Sequence, residues 1–126
     1  MSFSQEMVRK MCAQVDADDA AGFAAWFAED ATYTFANQQT VVGPEAIERA
    51  TAGAARALPW VRHTIDQVAE IGDQLFCRFT IHTAAPDGSP LAMPCVTVIQ
   101  VRGAEVVDYR VHMDITPAIA QQNQLG

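Results

Sequence analysis

The run Asp108-Tyr109-Arg110-Val111-His112-Met113-Asp114 alternates polar and apolar residues without a break. On an extended strand successive side chains point to opposite faces. Asp108, Arg110, His112 and Asp114 therefore share one face, with Tyr109, Val111, Met113 and Ile115 on the other. Carboxylates and an imidazole on one face are the parts of a general acid/base site, because each can take and return a proton. An apolar wall raises a carboxyl pKa and a nearby cation lowers it, so such a group can be tuned as base or acid. An ordinary half-buried strand gives the same alternation, with its polar face in water. The two arrangements differ in what that face meets, a pocket or solvent.

A second stripe follows the same period. Arg78, Thr80 and His82 share one face of an earlier strand. Arg78 stays charged and offers several donors, so it could pair with Asp114 or bind a substrate oxyanion. His82 and His112 could relay protons. Two polar stripes in one sheet point to a shared pocket. In that reading Asp114 sits at the deep end, His112 is secondary, and Asp108 and Arg110 lie at the rim or surface. His63 shares its strand side with Ile65 and Gln67 and reads as a hydrogen-bonded, half-buried histidine. Trp26, Trp60, Tyr33, Phe35 and Met93 are expected to line the core or the pocket mouth.

The elements that must position these residues run helices first. Phe3, Met7, Val8, Met11, Cys12 and Val15 recur at helical spacing, which predicts a helix over 3–15. The acidic cluster Asp16–Asp19 can end it and cap a short second helix carrying Phe23, Trp26 and Phe27 on its apolar side. Thr32–Phe35 reads as a strand, Asn37–Gln39 as a loop and Thr40–Val42 as a brief strand. Gly43-Pro44-Glu45 opens a third helix, because proline suits the first helical position and an early glutamate complements the dipole. That helix is expected to run to about Leu58, before Pro59. Four strands follow over 60–71, 74–84, 91–102 and 105–115, broken at Gly72-Asp73, at Pro86–Pro90 and at Arg102–Ala104. This order predicts an α+β fold, with helices on one face of a curved antiparallel sheet.

At 126 residues, half of them hydrophobic, the chain reads as one globular domain over 1–126. Its formal charge is -7, and its basic residues are scattered singly apart from Arg9-Lys10. Phosphate recognition needs concentrated positive charge, so neither nucleic acid nor an anionic membrane is expected as a partner. Cys12, Cys77 and Cys95 are an odd number without CxxC spacing, which favours buried free thiols over disulfides or a zinc ribbon. The histidines form no HxH or HxxxH pair, so no metal site is expected. The first residues carry early charges and no apolar core segment, which predicts no signal peptide and a cytoplasmic location.

Several motifs together resemble the nuclear-transport-factor-2-like superfamily, and within it the SnoaL-like and ketosteroid-isomerase-like group. They are Phe23 to Phe27 before Asp30–Tyr33, Gly43–Ile47 at a helix start, and Gly72-Asp73 leading into Arg78–Thr80. Tyr109–Asp114 and the tail Gln124–Gly126 complete the set. The resemblance implies a cone-shaped α+β barrel, with the curved sheet wrapped around the N-terminal helices and one pocket for a small hydrophobic ligand. It further implies a cofactor-independent enzyme of isomerase or cyclase type. Asp114 would move a proton beside a carbonyl, with Arg78 or His82 stabilising the enolate oxygen. Tyr33, Trp26, Trp60, His63, Thr80, Met93, His112 and Asn37 would then contact substrate.

Epoxide hydrolases of this fold use an Arg-x-Asp pair where this chain has Arg78 and Thr80. A neutral hydroxyl cannot be the same acid, which counts against that alternative. Asn37 follows Phe35 by two, as in the aromatic-x-Asn pattern that holds a water in those enzymes, but Phe35 has no hydroxyl. A steroid-isomerase oxyanion hole needs a tyrosine and a protonated acid; Tyr33 is the only early tyrosine and does not match that role. A non-catalytic small-molecule binding domain is a further reading. Isologous packing of the apolar strand face with Tyr109, Val111 and Met113 would give a homodimer.

Overall fold

Helix α1 spans Phe3–Asp16 and buries Met7, Val8, Met11 and Cys12 of the predicted stripe together with Ser4, while Phe3 at its start is exposed and Val15 half-buried. The computed structural model describes residues 3–56 and 58–118, with the backbone alone for 54–56. The chain turns after α1 through Asp18, whose φ of 58° breaks the helix. Asp19 then caps the second helix, α2 (Ala20–Ala24), by accepting the Gly22 N–H at 2.9 Å. A Cβ on Gly22 would lie 2.2 Å from that carboxylate, so the cap needs glycine there.

The expected longer second helix does not form. Trp26 and Phe27 leave it, and Phe27 opens strand β1 (Phe27–Phe35) by pairing with Val106. Sheet pairing outcompetes a helix that holds only five residues. Helix α3 (Pro44–Arg56) starts as expected. Gly43 precedes it at φ 90°, a conformation glycine adopts without strain, and donates its N–H to Ala31 O at 2.8 Å.

Strands β2 (Val41–Val42), β3 (Arg62–Ile71), β4 (Gln74–Ala84), β5 (Pro90–Arg102) and β6 (Glu105–Met113) join β1 in one curved sheet, ordered β2-β1-β6-β5-β4-β3. β3 to β6 form the expected antiparallel meander, and β1 pairs with β6 in parallel. The register stacks residues into rows across the sheet. One face carries His63-Ile81-Met93, then Ile65-Phe79-Cys95-Met113, then Val68-Cys77-Thr97-Val111-Phe35, and last Leu75-Ile99-Tyr109-Tyr33. Most of these side chains are buried in one core with Met7, Met11 and Cys12 of α1, Phe23 of α2 and Ile47 of α3. This is the covered face. The other face is open and carries Arg62-His82-Ala92, Thr64-Thr80-Pro94, Gln67-Arg78-Val96-His112 and Phe76-Val98-Arg110.

Among the described residues no helix is long and apolar enough to cross a membrane.

Candidate functional site on the covered face

Both polar stripes lie on the open face, which corrects the expectation of a pocket between them. Arg78 is exposed between Gln67 and Val96, and His112 is exposed in the same row. His82 Nε2 shares a 2.8 Å hydrogen bond with Thr64 Oγ1, and Thr80 Oγ1 donates to Asp66 Oδ2 at 2.8 Å. Arg110 donates to Asp108 Oδ2 at 2.9 Å. The cause is the pleat: the helices cover the Tyr109-Val111-Met113 side, so the alternate side must face outward. The same fact removes the apolar strand face from dimerisation, because the helices already occupy it.

Asp114 lies just past β6 and is exposed rather than deep in the cone. The Thr116 side chain and its backbone N–H, at 2.9 Å from Asp114 Oδ1, hold the carboxyl below the usual aspartate range. Asp114 and His112 do meet Asn37, in an open groove of about 410 Å³ lined also by Ala36, Met113, Ile115 and Thr116. Among the described residues, Arg78 makes no ion pair with Asp114.

The covered face holds a different acid–base pair. Asp16 ends α1, and His63 begins the first row of the sheet. His63 Nδ1 lies 2.6 Å from Asp16 Oδ1, and the His63 backbone N–H donates to Asp16 Oδ2 at 3.0 Å. A carboxylate can only accept, so Nδ1 carries the hydrogen and a neutral ring presents Nε2 as its acceptor. The His63 side chain is only 11% exposed, and its ring stands edge-on to Phe79 with centroids 5.5 Å apart. Ile81 and Met93 complete its row. The pair therefore combines an oriented imidazole with apolar walls, the arrangement a proton-transfer group needs.

The rows give this face a direction. Cys95 pairs with Met113, the last residue of β6, so the chain beyond it, with Asp114 and Ile115, leaves the sheet at the end where Met93 and His63 lie. The groove with Asn37 and Asp114 thus lies at the His63 end, as a rim. At the far end Phe23, Phe27, Tyr33 and Tyr109 form a floor of rings, with centroids 5.2 to 6.4 Å apart. Cys12, Cys77, Cys95 and Thr97 lie buried between. Burial keeps all three thiols protonated, pushing Cys77 up to about 12.

Of the other residues expected to contact substrate, Tyr33 and Met93 are buried on the covered face. Trp26 is half-buried and donates Nε1–H to Gln14 Oε1 at 2.8 Å. Trp60 is 43% exposed, and Arg62 Cζ stands 5.5 Å from its ring centroid. Sequence spacing misses Asp16, which reads as a helix end, and Tyr109, which reads as a sheet-packing residue. Among the described residues no group of three or more His, Cys, Asp and Glu side chains is placed to hold a metal ion.

The family model of the SnoaL-like domain matches residues 8–109. A protein of ketosteroid isomerase-like fold from Catenulispora acidiphila, solved with trimethylamine, superposes with a TM-score of 0.84 at 24% identity, over 94% of this chain and 92% of its own. An NTF2-like protein of unknown function from Burkholderia pseudomallei gives 0.81 at 20% identity, over 94% and 98%. A candidate SnoaL-like polyketide cyclase from Shewanella putrefaciens gives 0.81 at 14%, over 98% and 88%. No curated protein matches the chain. These likenesses confirm the NTF2-like α+β fold, and the match over most of its length means that the chain belongs to the SnoaL-like domain family.

Proposed function

We propose that the covered face binds a small hydrophobic molecule and that His63, oriented by Asp16, moves a proton on it in an isomerase- or cyclase-type reaction. The 2.6 Å contact between His63 Nδ1 and Asp16 Oδ1 carries this reading. His63 Nε2 takes a proton from carbon beside a carbonyl, leaving an enolate and an imidazolium that Asp16 stabilises. Return of that proton to a different carbon isomerises the substrate. Attack of the enolate carbon on a second carbonyl closes a ring, and His63 then gives its proton to the new alkoxide. No cofactor enters this balance. Asp16, with both oxygens committed to His63, is a positioning residue.

The family likeness to isomerase-like and cyclase-like folds agrees with this class of reaction. The buried free thiols fit a reducing compartment such as the cytoplasm. The open face, where Pro94, Val96 and Val98 form an apolar strip, supports a homodimer through the sheet.

Deuterium uptake at the α-carbon of a panel of hydrophobic ketones in D2O, followed by NMR, tests the proton transfer on any ketone that the protein binds. His63→Gln should slow enzyme-dependent uptake by about 100-fold or more, with a normal melting curve. Uptake unchanged in His63→Gln would exclude His63 as the base. Ketone binding without any uptake would leave a binding domain.

A further inference from the structure

Arg78 and His112 share an open-face row with Gln67 and Val96, on the two strands that flank β5. Both are exposed, and among the described residues neither side chain has a hydrogen-bond or ion-pair partner. Between the flanking strands β5 presents Ala92, Pro94 and Val96 to solvent, Val96 at 41% exposure. Few charged groups surround His112. Arg110, two residues before it, donates to Asp108, and Asp114, two residues after it, accepts from the Thr116 N–H. Val96 on β5 and Asn37 across the groove bring no charge. Arg78, beyond Val96, is the remaining cation of the row.

The four open-face rows hold Arg62, Arg78 and Arg110 and no carboxylate. Asp66 and Asp108 beside them bond to Thr80 and Arg110, which brings this face near neutrality. The acidic excess of a chain with formal charge -7 therefore lies elsewhere, and two copies repel least when they meet through this face.

An isologous contact centred on β5 has two simple alignments. A two-fold axis across the strands at this row stacks Arg78 on Arg78 and His112 on His112. An axis along β5 keeps each row opposite itself and exchanges β4 with β6. Phe76 then meets the partner's Arg110, a favourable cation–aromatic contact, and Gln74 meets the partner's Asp108. Arg78 meets the partner's His112, twice by symmetry. This second alignment opposes no like charges while the imidazole is neutral, so it is the one that the charges select.

We propose that two copies pair open face to open face about an axis along β5, with Arg78 of each on the partner's His112, so that the dimer holds while His112 is neutral and opens when it is protonated. This rests on the reading of the open face as a homodimer contact and adds its axis, its closing residues and its control by pH. Histidine takes up its proton between about pH 8 and about pH 5. An imidazolium opposite a guanidinium favours separation, so the monomer binds that proton more tightly than the dimer, and acid shifts the balance to monomer.

Sedimentation equilibrium of the full chain at about pH 8 and about pH 5.5 tests this. The wild-type dimer should weaken by about tenfold or more at the lower pH. His112→Gln should abolish the difference, and His82→Gln should preserve it. Arg78→Glu should invert it, because a carboxylate then meets the imidazolium. Equal dimer affinity at both pH values overturns the inference. So does a difference that survives His112→Gln, vanishes in His82→Gln or keeps its direction in Arg78→Glu. A wild type that is monomeric at both pH values removes this inference and the homodimer together, whereas proton transfer by His63 is read separately by deuterium uptake.

Discussion

Asp16 accepts from both the backbone N–H and the ring of one histidine, so a single carboxylate fixes where the imidazole sits and which nitrogen it offers. Nothing in the local sequence announces this. Asp16 belongs to an acidic cluster whose other members cap or turn the chain, and 47 residues separate it from His63. Period-two alternation finds which polar residues share a strand face, but not which face the helices cover, and that choice decides between pocket and solvent. The same burial that shapes the covered face has a consequence for pH. Folded Cys12, Cys77, Cys95, Tyr33 and Tyr109 all titrate above their ordinary values, chiefly because burial disfavours the charged form. Above about pH 8.5, where free thiols ionise, the unfolded chain loses protons that the folded chain keeps. Their contribution is fully present below that pH and declines as pH rises toward the folded values, by about 1.4 kcal/mol per pH unit for each thiol. Thermal melts should therefore be flat for these groups to about pH 8 and fall steeply above about pH 9. A melting temperature constant to about pH 10.5 would contradict the burial of these thiols.

Among the elements, the long strands and α1 are legible because their signals are local: helical spacing from Phe3 to Val15, turns at Gly72 and Gly88, and alternation from Leu75 to Thr83. The end of α2 is not, because Phe27 is an aromatic residue that either state accepts and its partner, Val106, is distant in sequence. The expected tail motif Gln124–Gly126 lies outside the described residues. Strand β5 carries a prediction of its own. Its open-face residues Pro94 and Val96 are exposed, Val96 at 41%, between Arg78 and His112 on the flanking strands. If copies pair through this strip, Val96→Lys places like charges at its centre and should shift sedimentation from dimer to monomer with little change in melting of the monomer. A wild-type protein that sediments as a monomer at high concentration would remove the open face as an interface.

At the scale of the molecule, the sheet has two chemically distinct faces. The open one sets an apolar strip on β5 among polar groups bonded mostly to near neighbours, as with Thr80 to Asp66 and Arg110 to Asp108. The covered one runs from an Asp16–His63 pair through protonated thiols to a floor of phenols. A fold alone does not assign an activity, so the claim to test is which face a ligand uses. Chemical-shift mapping of the isotope-labelled protein against a hydrophobic ketone asks this directly. Met93 and Ile81 methyls, the His63 ring and the Tyr109 ring should shift together, while Thr80, His82 and Arg78 stay still. Shifts concentrated on Arg78, Thr80 and His82 with the covered face silent would contradict it.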